Sequence, residues 1–175
     1  VNKPVKREVF AWDFRDRVVH HYIINKINPY FEKSFIYDSY SCREWKWVLF
    51  WVKRIQRFLK SASENYKNDS YILKLDIKWF FMSIDKSILH KKLVEFINEK
   101  YDDNLDDRDN ILYLVEKVVF NNPVKNCIIK WNKNDWQWLP KSKSLFFAWE
   151  NKGLPIWNLT SQVFANFYLD FLDKF

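Results

Sequence analysis

The stretch Lys74-Leu75-Asp76-Ile77-Lys78-Trp79-Phe80-Phe81 puts a carboxylate at the end of an alternating apolar run and follows it with a polar-aromatic turn. A carboxylate so placed suits a hard cation such as Mg2+, which takes oxygen ligands and keeps positions open for phosphate. An Asp closing a strand also serves simply as a turn or helix-capping residue. Basic side chains offer a second chemistry. Lys53, Arg54, Arg57 and Lys60 recur at helical spacing, so they gather on one side, either as a solvated face or as a track for phosphates. Other groups carry less. Tyr101-Asp102-Asp103 with Asp106 and Asp107 reads as a solvated loop and the acidic first turn of a helix. His20 and His21 point to adjacent helix faces, which argues against joint metal ligation. Cys42 and Cys127 match no Cys/His metal spacing, and a reducing cytoplasm is the default compartment for such a pair.

The elements that must position these groups can be read from periodicity. Val18, Val19, Tyr22, Ile23 and Ile27 fall at helical spacing between Asp13, a plausible cap, and Pro29, a stop. A second helix is expected from about Val52 to Ala62, and two more amphipathic segments at about 86–100 and 107–121. Residues 71–77, YILKLDI, alternate apolar and polar side chains, which predicts a strand leading up to Asp76. Polar turns then lead to GLPIWN at 153–158, which opens a mostly apolar helix. No internal repeat or linker interrupts the 175 residues, so a single domain is the simplest organisation. With 48% hydrophobic residues the chain is not a disordered tail. No run of about 18 apolar residues and no signal-like N-terminus occurs, so neither membrane insertion nor secretion is signalled. A net charge of +7 favours a polyanionic partner.

Glycine is nearly absent. The chain has 1 Gly and 10 Trp, where average usage of about 7% would give roughly 12 Gly. Turns need residues that accept φ > 0, and an indole there suffers the Cβ clash that glycine avoids. Trp45, Trp47, Trp138 and Trp157 nevertheless sit where turns are expected. Together with a composition rich in Lys, Asn and Ile, as in AT-rich genomes, this suggests UGA codons that mean glycine but were rendered as tryptophan. UGA is expected at 45, 47, 51, 79, 138 and 157, and UGG at 136.

Four segments taken in order carry a resemblance. Asp-Phe-Arg-Asp-Arg-Val-Val-His-His at 13–21, Ser-Tyr-Ser-Cys-Arg-Glu-Trp-Lys-Trp at 39–47, Leu-Asp-Ile-Lys-Trp-Phe-Phe-Met-Ser-Ile-Asp at 75–85 and Gly-Leu-Pro-Ile-Trp-Asn-Leu-Thr-Ser-Gln at 153–162 resemble successive blocks of bacterial reverse transcriptases. In that family the positions of Trp45, Trp47, Trp138 and Trp157 are typically glycine. The resemblance implies an α+β fold, the fingers and partial palm of a right-hand polymerase. It also implies nucleotidyl transfer from dNTPs to a primer on a template RNA, with two Mg2+ ions, or Mn2+ in their place. Asp76 would be the catalytic metal ligand, joined by the backbone carbonyl of Ile77. Arg7, Phe81, Ile156 and Gln162 would face the incoming nucleotide, Arg7 as a clamp on its triphosphate and Phe81 as a steric gate under its sugar. Phe80 reads better as core packing. Arg15, Arg17, Arg43, Lys53 and Arg57 would contact template or primer, although the first three could instead hold neighbouring carboxylates.

The block at 153–162 narrows the subfamily. Pro155-Ile156-Trp157 followed by Ser161-Gln162 is similar to the enzymes of diversity-generating retroelements, whereas most relatives carry glutamine at the Ile156 position. An aliphatic side chain there removes hydrogen-bonding capacity and implies looser nucleotide alignment and error-prone copying. An accessory protein of the retroelement would be a further partner. Retron or group II intron-like enzymes are the alternatives within the class, and a non-catalytic RNA-binding module lies outside it. The family's second block of aspartates does not occur among the 175 residues, so the segment is expected to be inactive by itself, because one carboxylate cannot hold two divalent metals.

Overall fold

The computed structural model describes residues 7–102, 105–130, 134 and 139–175. Helix α1, Phe14–Ser34, begins where the Asp13 carboxylate accepts the Phe14 N–H, an N-cap bond. Its inward face is His20, Ile23, Ile24, Ile27 and Phe31, the spacing of one helical stripe. Pro29 does not end it. A proline inside a helix costs about 3 kcal/mol, but the turn beyond is held by Phe31, whose ring lies 4.7 Å from Phe167, 5.0 Å from Phe96 and 5.9 Å from Phe35. Burial of one such ring contributes a similar amount, about 3 kcal/mol.

Helix α2, Val48–Ala62, buries none of its residues. The Arg54 guanidinium ties it to the chain before it through two bonds to the Asp38 carboxylate, 2.8 and 3.1 Å, which draw that carboxyl below its usual range. A single turn, α3, covers Phe80–Ser83. Helix α4, Lys86–Lys100, is capped by Asp85, which accepts from Ser87 N–H and Ile88 N–H at 3.0 and 3.1 Å. It turns Leu89, Leu93 and Ile97 inward, four residues apart. Ile111, Val115 and Val119 repeat that spacing on α5, Leu105–Phe120. After two 3-10 turns at Lys141–Lys143 and Leu145–Phe147 comes α6, Leu159–Asp173, which buries Val163, Phe164, Ala165 and Phe167. The core lies where α1 packs on α6 and α5, and α4 packs on α5 and α6.

The regular elements among the described residues are all helices, with no sheet, which overturns the expected α+β fingers and partial palm. Residues 71–77 belong to no helix or strand and pair with no neighbour, with Tyr71 94% and Leu73 81% exposed. Alternation predicts a strand only where a neighbouring strand takes its N–H and C=O groups and a second layer covers its apolar face. Among the described residues neither exists, and the only pairing of strand type is one isolated bridge, Asp85 to Lys152.

The acidic stretch does more than solvate a loop. Asp107 accepts from Tyr22 Oη at 2.9 Å, Lys26 Nζ at 2.9 Å and Tyr101 Oη at 2.7 Å, tying α5 to α1 and to the end of α4. These donors, Lys26 foremost, hold its carboxyl down at about 2. A depressed carboxyl stabilises the fold fully above the ordinary Asp value near 4, and that contribution is lost as pH falls towards 2. In thermal melts followed by circular dichroism, Asp107→Asn is expected to lower Tm at pH 7. The same variant should lose less Tm than the parent between about pH 4 and pH 2; equal acid slopes would remove Asp107 from this role.

Candidate functional site

The start of α6 is where distant parts of the chain meet. Its entry, Gly153 to Asn158, is held by two backbone bonds to the α3 turn: Gly153 N–H donates to Ile84 C=O at 2.9 Å and Leu154 N–H to Phe81 C=O at 2.8 Å. In the first turn of α6, Thr160 Oγ1 lies 2.6 Å from His20 Nδ1, both buried. Burial lowers the His20 pKa, against the opposing charge of Asp16, so the ring is neutral at pH 7. The Trp12 ring packs 5.2 Å from it. Two residues after Thr160, Gln162 Oε1 accepts from the Cys42 thiol at 3.4 Å, and a turn beyond that Asn166 Nδ2 donates to Ser41 C=O. All four blocks, 13–21, 39–47, 75–85 and 153–162, thus join around one helix end.

The predicted nucleotide residues divide. Phe81 is half-buried and packs on the core with Phe80, their rings 5.5 Å apart. Ile156 is half-buried, Gln162 is half-buried against Cys42, and Arg7 is exposed. Next to Arg7, Glu8 is 3% exposed and accepts from Ser144 Oγ at 2.6 Å and Leu145 N–H at 2.8 Å. Burial raises its pKa, and those two donors oppose the rise. Glu8 therefore anchors the chain that leads into α1.

Among the basic candidates, Arg43 is committed internally. Its side chain is 6% exposed, with Nε on Glu32 at 2.9 Å and the remaining N–H groups on the carbonyls of Ile36, Ser39 and Glu32. Arg15 and Arg17 are exposed on the first turns of α1, Arg17 lying over the Phe14 ring. Lys53, Arg57 and Lys60 are exposed on α2, and positions 53, 57 and 60 share one face of a helix. No acidic residue occurs in α2 to neutralise them. The segment ahead of this helix lines an open depression of about 330 Å³ with Cys42, Arg43, Glu44, Trp45 and Trp47.

Asp76 is exposed within the unpaired segment, and Ile77 is partly so. Among the described residues no three His, Cys, Asp or Glu side chains are grouped to hold a metal ion. Asp76 and the Ile77 carbonyl therefore do not by themselves fit a two-metal centre, which needs further carboxylates. Asp103, Trp136 and Trp138 lie outside the described residues. Periodicity did not disclose Glu8, the His20–Thr160 pair or the Asp107 hub. Only His20 left a signal, since it falls on the same stripe as Ile23, Ile27 and Phe31.

The described residues define a helical protein with a basic outer helix. No family model, curated protein or solved structure matches it. Among the described residues no helix is long and apolar enough to cross a membrane.

Proposed function

We propose that the chain is the template- and nucleotide-binding part of an RNA-templated DNA polymerase, of the error-prone retroelement kind. The observation that supports this reading best is the meeting of four ordered blocks, up to 140 residues apart, at the start of α6. Separate chain segments would then share one substrate, as nucleotidyl transfer requires of a primer end, a template base and a dNTP. Mg2+ would supply charge neutralisation at the phosphates, with Asp76 giving one of several carboxylates. Within this reading Lys53 and Arg57 track template or primer phosphates, while Arg43 positions the 39–47 block without touching nucleic acid. A second reading, an RNA-binding module without catalysis, is favoured by the exposed cationic face of α2 and by the lone Asp76.

One measurement tests the interface common to both readings, and a second separates them. Lys53→Glu with Arg57→Glu is expected to weaken single-stranded RNA binding at least tenfold in fluorescence anisotropy, and to reduce the slope of log K against log salt by about 1.4. Unchanged affinity would remove α2 from the interface under both readings. In primer extension with the full reading frame, Asp76→Asn should abolish dNTP incorporation and leave RNA affinity intact. RNA binding with no incorporation by either form would establish the binding module and reject the polymerase.

A further inference from the structure

We infer that positions 45, 79 and 157 carry glycine in the protein as its host makes it, each codon being a UGA read as glycine in the cell and rendered as tryptophan in this sequence. Seven of the ten tryptophans, at 12, 45, 47, 51, 79, 149 and 157, are described. Three of the seven have left-handed backbones: φ is +62° at Trp45, +57° at Trp79 and +74° at Trp157. Only a few per cent of non-glycine residues adopt φ > 0, with Asn and Asp enriched among them, because the Cβ meets the neighbouring carbonyl. The one glycine in the chain, Gly153, is left-handed too, at +88°.

Place and exposure make the same point. Trp45 lies in the turn ahead of α2, Trp79 immediately precedes α3, and Trp157 immediately precedes Asn158, the N-cap of α6. Each is a sharp entry into a helix. The three indoles are 83%, 45% and 56% exposed, so burial does little to offset the strain. Trp79 does carry the Lys78 ammonium 4.4 Å from its ring centre, a contact of the weak exposed kind. The other left-handed residues differ in kind. Glu64, Asn65 and Tyr66 form a continuous turn that closes α2 and is held by the Ser63 hydroxyl and carbonyl; Cys42 is fixed against Gln162.

The backbone also narrows what composition suggests. Trp47, with φ of −73°, and Trp51, inside α2, occupy conformations open to any residue. The inference does not rest on the polymerase reading, although glycine at 45 would take an indole from the wall of the depression ahead of α2.

The direct test is the codons at 45, 79 and 157 together with peptide mass spectrometry of the protein purified from its host. UGA codons and glycine-containing peptides are expected at all three, and tryptophan in the peptide at any of them overturns the inference. A physical test uses the recombinant chain. Trp45→Gly, Trp79→Gly and Trp157→Gly combined should raise Tm by about 5 °C. Trp149→Gly, at an exposed position with ordinary φ, should leave Tm unchanged or lower it, as glycine does wherever its freedom is unused. A triple variant that melts at or below the parent also overturns the inference.

Discussion

Phe31→Ala is expected to lower the stability of this protein by about 3–5 kcal/mol, a large share of the roughly 5–15 kcal/mol that holds a typical domain folded. Phe31 is fully buried. Its ring touches those of Phe35, Phe96 and Phe167, so it joins α1 to α4 and α6 at one point. The same ring holds the last turn of α1 in register past Pro29, where a backbone N–H is missing. Removing it leaves a cavity and releases the helix end together, and the second loss adds to the first. Urea unfolding would show the midpoint moving far down or the transition disappearing. Phe31→Leu keeps most of the volume and should cost about 1 kcal/mol. Two variants of similar stability would mean that the ring cluster does not bear on the junction of α1 with α4 and α6.

Gly153→Ala should have the next largest effect, about 2 kcal/mol of lost stability, and under the proposed function RNA binding should weaken with it. At φ of +88° an alanine is strained whatever space surrounds it. Its Cβ would also fall 2.6 Å from Leu145 Cδ2 and 3.5 Å from the Met82 backbone. Leu145 is itself buried beside Glu8, so it has little freedom to retreat. The backbone bonds on either side, Gly153 to Ile84 and Leu154 to Phe81, are the ones that bring the 75–85 block to α6. Thermal melts and RNA anisotropy on the same preparation check both effects. A variant that melts normally would show that the α6 entry tolerates a Cβ and that the junction is looser than its geometry.

The basic face of α2 was legible for Lys53, Arg57 and Lys60, which recur at helical spacing with no acid between them, but Arg54, read as part of it, turns to the Asp38 carboxylate instead. Arg43 was not legible. It stands in the same sequence block as the exposed Trp45 and Trp47, and nothing local tells that its guanidinium turns inward to Glu32 and three carbonyls. Asp107 misled for the same reason, since its three donors come from positions 22, 26 and 101. Residues 71–77 misled in the opposite sense: their alternation is genuine, but the partner that would make it a strand is absent from the described fold.

Local pattern alone was enough to mark α1, α4 and α5 as helices, the cationic outer face of α2 and the anomaly of tryptophan against glycine. Of the α1 stripe it placed only Ile23 and Ile27 correctly, since Val18 and Tyr22 face outward and His20, Ile24 and Phe31 complete the buried side. Helical hydrogen bonds close within four residues, so a helix and the face it buries are written locally. That 71–77 stays unpaired, that Arg43 and Asp107 are internal ties, and that the blocks meet at α6 came from the folded chain alone. Strand pairing and ion pairing join groups far apart along the chain, and no local pattern records which remote partner will arrive. The left-handed turns at 45, 79 and 157 stand between the two: composition raised the question of glycine, and backbone geometry located it.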